Sequence, residues 1–137
     1  MAAVIVDAGP LVAYLHKDDA DHAWALDRFK ELRAPLLTCD AALSEAFFLL
    51  RERRHGVRQL LALLERGLAL SAFDLSAELP AVRDSMLRYE DVPMSLADAC
   101  LVRMAELQRG STIFTLDSDF KRYRKHRRDP IPLIFPD

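Results

Sequence analysis

Short apolar runs alternate along this chain with longer segments in which apolar residues recur every three or four positions. The first run, Val4–Val6, is followed by Gly9 and Pro10, which supply a turn and a favoured first helical residue. A strand, a turn and a helix therefore open the chain. Further strands are predicted at Leu36–Thr38, at residues 68–73, at Thr112–Phe114 and, as an edge strand at most because Pro132 breaks it, at residues 131–135.

The segments between these strands carry helix signals. Ala25, Leu26, Phe29 and Leu32 share one helical face, and Pro35 ends that segment. The other predicted helices are one capped by Asp40 that reaches about residue 54 and is ended by Gly56, one over residues 57–66 closed by Gly67, one with Pro80 in its first turn, and Leu96–Leu107, capped by Ser95. Strands that alternate with helices predict an α/β fold, a three-layer α/β/α sandwich with a mainly parallel central sheet.

The composition is that of one compact domain spanning residues 1–137. Of the 137 residues, 51% are hydrophobic and 29% are charged, which excludes a disordered or low-complexity chain. The longest apolar run, residues 41–50, is interrupted by Ser44 and Glu45 and is too short to cross a bilayer. No basic leader precedes the first apolar run. We therefore expect no membrane span and a cytoplasmic location.

Charge and cysteine content narrow the chemistry further. Cys39 and Cys100 stand among apolar or small residues without the spacing of a zinc site, and we interpret them as core thiols. A net charge of -2 excludes a protein that is basic overall. One dense basic run stands out against this balance, KRYRKHRR at residues 121–128.

Acidic residues stand at or shortly after the ends of two of the predicted strands. Asp7 comes after the first strand, and Asp117 and Asp119 come just after Thr112–Phe114. Each of them alone could be a helix cap. In a parallel sheet, however, ligands bind beyond the carboxyl ends of the strands, which is where all three fall.

Two more carboxylates interrupt apolar helices. Asp98 lies off the exposed stripe that Arg103 and Glu106 define, where a carboxylate is costly unless it is paired, hydrogen-bonded or bound to a cation. A capping box with Ser95 is the structural alternative, although aspartate suits that role less well than glutamate. Glu45 on its own could belong to a solvated face that it shares with Glu52.

Taken together, the carboxylates indicate a metal site. Several of them directed at one sheet edge would repel each other and raise their own pKa values unless a cation neutralised them. Ligands that are all oxygen, with no histidine or cysteine, favour Mg²⁺ or Mn²⁺. Such a site typically serves phosphate chemistry.

Four segments in order resemble a known family. They are VDAGPLVAYL at residues 6–15, SEA at residues 44–46, SLADACL at residues 95–101 and TLDSDF at residues 115–120. This pattern resembles the PIN-domain ribonucleases, and most of all the small toxins of prokaryotic toxin-antitoxin pairs. The resemblance runs from the first predicted strand to the last, and no acidic position of the pattern is missing.

The resemblance implies a Mg²⁺- or Mn²⁺-dependent RNA endonuclease. It implies that the catalytic residues are Asp7, Glu45, Asp98 and Asp117, and that the metal ligands are Asp7, Asp98, Asp117 and Asp119. Thr115 would supply a supporting hydroxyl. A homodimer, and inhibition by a small antitoxin protein, are implied as well.

The basic run begins directly after Asp117 and Asp119, so we predict that it holds the RNA backbone. The residues predicted to do so are Arg124, Lys125, Arg127 and Arg128. A solvated helix end or a mobile loop is the structural alternative. A second basic patch, Arg51, Arg53, Arg54 and His55, is explained by the dipole at a helix carboxyl terminus.

Other functions stay open at this point. A catalytically idle PIN-fold binding module is one, and a metal-dependent phosphatase of another α/β family is a second. A phosphatase with an aspartyl nucleophile would carry Asp-x-Asp after its first strand, whereas Ala8 and Gly9 follow Asp7. A phosphoacceptor signalling domain would carry a lysine after a late strand, where this chain has Asp117.

Overall fold

A five-stranded parallel sheet forms the middle layer of the protein, in a computed structural model that describes residues 2–137. Its strand order is β3-β2-β1-β4-β7, and an antiparallel ribbon, β5-β6, stands apart from it. The strands are β1 (Val4–Val6), β2 (Leu36–Thr38), β3 (Ala69–Ser71), β4 (Thr112–Phe114), β5 (Arg124–Lys125), β6 (Asp129–Pro130) and β7 (Leu133–Ile134). The helices are α1 (Ala8–Leu15), α2 (His22–Glu31), α3 (Asp40–Leu50), α4 (Gly56–Glu65), α5 (Leu75–Arg88) and α6 (Leu96–Leu107), with a 3₁₀ turn at Ser118–Lys121.

Successive residues of the central strands point to opposite faces of the sheet. Ile5 and Ile113 are register partners, and they pack into a core with residues of α5 and α6. Val6 and Phe114, the next pair, pack into a second core with residues of α1, α2 and α4. Helices thus cover both faces, and the predicted three-layer α/β/α sandwich with a mainly parallel sheet is confirmed.

The predicted boundary between α3 and α4 is wrong. The helix that was expected to reach about residue 54 ends at Leu50, and Gly56 is the first residue of α4 instead of the end of α3. A Cβ atom on Gly56 would lie 2.7 Å from the carbonyl oxygen of Leu50, so the tight turn needs a glycine there. His55, just before it, adopts a left-handed backbone with φ of 63°.

Two smaller expectations also change. Cys39 occupies the N-cap position of α3, and Asp40 is the first helical residue, whose carboxylate accepts a hydrogen bond from the Ser71 hydroxyl. The third strand covers Ala69–Ser71 only, and the edge strand expected within residues 131–135 is β7, which pairs in parallel with β4.

The basic run begins at the end of the 3₁₀ turn, with Lys121, and most of the rest forms an antiparallel ribbon instead of a free loop. Arg124 and Lys125 form β5, which pairs with β6, and the connecting turn places His126 and Arg127 at positive φ. The backbone N–H of His126 donates to Glu106 on α6 at 2.5 Å, which ties the ribbon to the sandwich. Across residues 2–137, no helix is long and apolar enough to cross a membrane.

Candidate active site

Four carboxylates line one open cleft at the carboxyl edge of the sheet. Asp7 follows β1, Asp117 follows β4, Glu45 lies on α3 and Asp98 lies on α6. The cleft has a volume of about 400 Å³ and is completed by Gly9, Leu49, Leu116 and Ser118. These are the four residues that the sequence predicts as catalytic, and the fold brings them together from four separate elements.

Asp7 and Thr115 are joined by a hydrogen bond at neighbouring strand ends. The Thr115 hydroxyl donates to Oδ2 of Asp7 at 2.8 Å, and the N–H of Ala8 donates to Oδ1 at 2.7 Å. Thr115 Oγ1 also accepts the N–H of Asp117 at 3.0 Å. One buried hydroxyl therefore fixes the Asp7 side chain and the backbone that carries Asp117.

Asp98 forms the capping box that was the structural alternative, and it also lines the cleft. The Ser95 hydroxyl accepts the N–H of Asp98 at 3.0 Å, while the N–H of Ser95 reaches Oδ2 of Asp98 at a long 3.4 Å. A shorter contact on the same oxygen comes from the hydroxyl of Tyr123, at 2.9 Å. The two interpretations of Asp98 are thus compatible, since the donors act on one carboxylate oxygen.

The carboxylates are close enough to perturb one another. Burial, followed by the negative charges of Asp98 and Glu45, raises the pKa of Asp7 from 3.8 to about 6, against the lowering effect of its hydrogen bonds. Burial and the charges of Asp98 and Asp117 raise the pKa of Glu45. The pKa of Asp98 is raised chiefly by burial and, after the lowering effect of its donors, by the charge of Asp117. The mutual repulsion expected from the sequence is therefore present.

The donor set, four carboxylates and no histidine or cysteine, suits a hard divalent cation. Within residues 2–137, no three His, Cys, Asp or Glu side chains are close enough to enclose an ion. Mg²⁺ commonly binds through one or two carboxylates, with waters and substrate phosphates completing its coordination. Carboxylate oxygens around an open cleft, in which neighbouring negative charges raise the pKa values of Asp7, Glu45 and Asp98, suit that mode of binding.

Not every predicted site residue lies in this cleft. Asp119 is outside its lining; the N–H of Asp119 donates to Oδ1 of Asp117 at 2.9 Å and so helps to orient that carboxylate. Arg124 and Arg127 line a separate cleft of about 240 Å³ formed with α5 and α6. Arg127 pairs with Asp84 at 2.6 Å, and the exposed Arg128 lies 3.7 Å from Asp129.

The contact between Tyr123 and Asp98 was not predicted from the sequence. Tyr123 stands in the middle of the basic run, yet its side chain is fully buried and its hydroxyl bonds Asp98. The available signal was local: an aromatic residue with a cation on each side, following the apolar Phe120 by three positions.

The fold and the cleft define a class of protein, an α/β/α sandwich with an all-oxygen acidic site at the carboxyl edge of its sheet. The PIN domain family model matches residues 4–126, and the chain belongs to the PIN domain family. This confirms the family indicated by the sequence. It also leaves the alternative of a phosphatase from another α/β family without support.

The chain is similar to two proteins of Mycobacterium tuberculosis. The chain is 31% identical over 118 residues to Ribonuclease VapC26 of Mycobacterium tuberculosis (strain ATCC 25618 / H37Rv), an alignment that covers 83% of this chain and 86% of that protein. It superposes with a TM-score of 0.76 on the crystal structure of Mycobacterium tuberculosis VapC20, described as a sarcin-ricin loop cleaving toxin. That superposition covers 92% of this chain and 100% of VapC20 at 18% identity, and so shows a shared fold.

Proposed function

We propose that this chain is a metal-dependent endoribonuclease and the toxin of a toxin-antitoxin pair. The observation that carries the proposal is the meeting of Asp7, Glu45, Asp98 and Asp117 in one cleft of a PIN domain. The similarity to a protein named Ribonuclease VapC26 over 83% of the chain supports RNA as the substrate. The reaction is hydrolysis of a phosphodiester bond.

The acidic residues divide the work. Asp7, Asp98 and Asp117, with Asp119 as a further candidate, would hold Mg²⁺ or Mn²⁺, one or two of them directly and the others through bound water. The ion, when bound, would neutralise phosphate charge and lower the pKa of a bound water. Thr115 orients the Asp7 carboxylate through its 2.8 Å hydrogen bond. Glu45 is the exposed member of the group, and its raised pKa suits an oxygen that accepts a proton at the rim of the cleft.

In this proposal the basic run binds the RNA backbone, and a protein partner inhibits the nuclease. Arg124, Lys125, Arg127 and Arg128 supply the phosphate contacts, because an acidic cleft repels a polyanion and needs cations near it. The partner is a small antitoxin protein, and the chain acts in the cytoplasm as a homodimer. VapC20, which shares the fold of this chain, is described as a toxin, and this supports the toxin role.

Cleavage of single-stranded RNA in the presence of Mn²⁺ tests the proposal. The parent protein should cut, and Asp98→Asn should lose the activity while keeping the fold, because the exchange removes one carboxylate without opening a cavity. Asp91→Asn is a matched control that removes an exposed carboxylate in the turn before α6.

Three results are informative. Equal cutting by Asp98→Asn and the parent would show that the site is assigned wrongly. A parent protein that binds RNA but never cuts it would be an idle binding module. Loss of activity in Asp91→Asn as well would mean that general charge, and not the cleft, controls cleavage.

A further inference from the structure

The carboxylate of Asp98 accepts its shortest hydrogen bond from the hydroxyl of Tyr123. That hydroxyl lies 2.9 Å from Oδ2, whereas the N–H of Ser95 lies 3.4 Å from the same oxygen. Aspartate is one methylene shorter than the glutamate that usually closes a capping box, which accounts for the long contact to Ser95. The capping box alone therefore holds this carboxylate weakly, and Tyr123 makes the stronger contact.

Tyr123 is held rigidly enough to act on its neighbour. Its side chain is fully buried, and its ring meets those of Phe120 and Tyr89 edge-on, each with a centroid separation of 5.2 Å. The Tyr89 hydroxyl in turn accepts the N–H of Arg124 at 3.0 Å. The position of the phenol is thus set by the packing of its ring against those of Phe120 and Tyr89, which the loss of the Tyr89 hydroxyl leaves in place, and not by free rotation in solvent.

Both donors act on Oδ2 of Asp98. Among the hydrogen bonds of the described chain, none is made to Oδ1, although Asp98 lines the acidic cleft. A carboxylate held by one oxygen presents the other to a ligand, and donors of this kind orient metal-binding side chains in many proteins.

We propose that Tyr123 is a positioning residue that holds Oδ2 of Asp98 so that Oδ1 is presented to the divalent cation. This inference rests on the proposed function, since it assigns Asp98 as a ligand. It also gives the basic run a second role, because the segment that carries the predicted RNA-binding cations also contains Tyr123, which orients the metal ligand Asp98.

The test compares Tyr123→Phe with Tyr89→Phe. Tyr123→Phe removes the hydroxyl and keeps the ring in its stack. Tyr89→Phe removes a hydroxyl from the adjoining ring that touches Arg124 and not Asp98. Mn²⁺ binding is followed by the loss of the free-ion EPR signal on titration, which reports the site without any RNA present.

Tyr123→Phe should weaken Mn²⁺ binding about tenfold, the usual effect of removing an orienting donor. Cleavage should need correspondingly more Mn²⁺, while KM for RNA stays the same and kcat recovers at saturating Mn²⁺. Tyr89→Phe should bind Mn²⁺ as the parent does.

Equal Mn²⁺ affinity of Tyr123→Phe and the parent would overturn the inference, and so would an equal loss in Tyr89→Phe, which would mean general loosening of the stack. With either of these outcomes, the proposed function still stands provided that the parent binds Mn²⁺ and cuts RNA. A parent that neither binds Mn²⁺ nor cuts RNA overturns both.

Discussion

The hydroxyl of Thr115 donates to Oδ2 of Asp7 at 2.8 Å, across 108 positions of sequence. The contact exists because β1 and β4 are parallel neighbours whose last residues, Val6 and Phe114, are register partners. Each strand delivers its next residue to the same edge of the sheet. The pairing of the two strands is therefore enough to bring Thr115 and Asp7 together.

Replacing Thr115 with valine should damage the cleft without changing its shape. The exchange removes a donor to Asp7 and an acceptor for the N–H of Asp117, so buried polar groups lose their partners at a cost of about 1 to 3 kcal/mol in unfolding free energy. Mn²⁺ affinity should fall about tenfold. Urea unfolding and a Mn²⁺ titration measure the two effects.

Thr112→Val is the matched control, since it makes the same exchange at the other end of β4. It should leave Mn²⁺ affinity unchanged. If Thr115→Val also left it unchanged, Thr115 would have no part in orienting Asp7.

Asp7 should make the metal-free protein less stable as the pH rises. Its pKa is raised from 3.8 to about 6, chiefly by burial, so between these values the folded chain binds a proton that the unfolded chain has released. The stabilisation is fully present at pH values below 3.8 and is lost as the pH passes 6. The shift corresponds to about 2 to 3 kcal/mol.

The side chain introduced by Asp7→Asn cannot ionise, so the variant should lose much less stability than the parent as the pH rises. Urea unfolding in EDTA, from about pH 4 to about pH 8, compares the two proteins. We expect the free energy of unfolding to decrease more for the parent than for Asp7→Asn as the pH rises. Parallel curves would show that the Asp7 carboxylate is not destabilised in the folded protein.

Local pattern was enough to predict the parts of the cleft that follow strands. Asp7 comes directly after one β-branched or aromatic apolar run and Asp117 comes three residues after another, and a parallel sheet brings such positions to one edge. Asp98 could be singled out because a carboxylate off the wet face of an apolar helix needs a partner. For Asp7, Asp117 and Asp98, the neighbouring residues in the sequence are enough to predict the strand end or helix face on which each carboxylate lies.

Tyr123 and Gly56 show what local pattern could not reveal. The burial of Tyr123 depends on the β5-β6 ribbon meeting α5 and α6, which are contacts between distant segments. Its neighbours are cations, so charge dominated the interpretation of the run. Gly56 matched a helix end by composition, whereas the close approach of Leu50 that requires it exists only in the folded turn.

The antitoxin should carry an arginine or lysine that enters the acidic cleft in place of the metal. Negative charges in the cleft already raise the pKa values of Asp7 and Glu45, so a cationic side chain there would relieve the same repulsion that a metal relieves. Expression of the chain alone should be toxic and should be relieved by the product of a neighbouring small open reading frame. Harmless expression with no such neighbour would refute the toxin assignment and leave the nuclease untouched.

Competition provides the direct measurement for that insertion. The purified complex should bind Mn²⁺ more weakly than the free chain, and exchanging the inserted cation for alanine in the antitoxin should restore the affinity. Unchanged Mn²⁺ binding in the complex would place the antitoxin outside the cleft.

RNA binding should lose part of its salt dependence when Arg124, Lys125, Arg127 and Arg128 are replaced by alanine. Each phosphate contact on a single strand contributes about 0.7 to the slope of log affinity against log salt. Arg127 already pairs with Asp84 and Arg124 donates to three carbonyl groups of residues 121–123, so the loss should be smaller than four full contacts. At saturating RNA the chemical step should survive, because the carboxylates stay in place.

The matched variant replaces Arg51, Arg53 and Arg54, the second basic patch, which lies in the turn between α3 and α4. Arg51 is bound to the carbonyl of Phe48 and Arg53 lies 3.4 Å from Asp18, so these cations are also partly engaged. Binding across a salt series decides between the two surfaces. If the slope is unchanged in the first variant and flattened in the second, the RNA crosses the α3-α4 turn, and the basic run serves to hold Tyr123 and Asp98 in place.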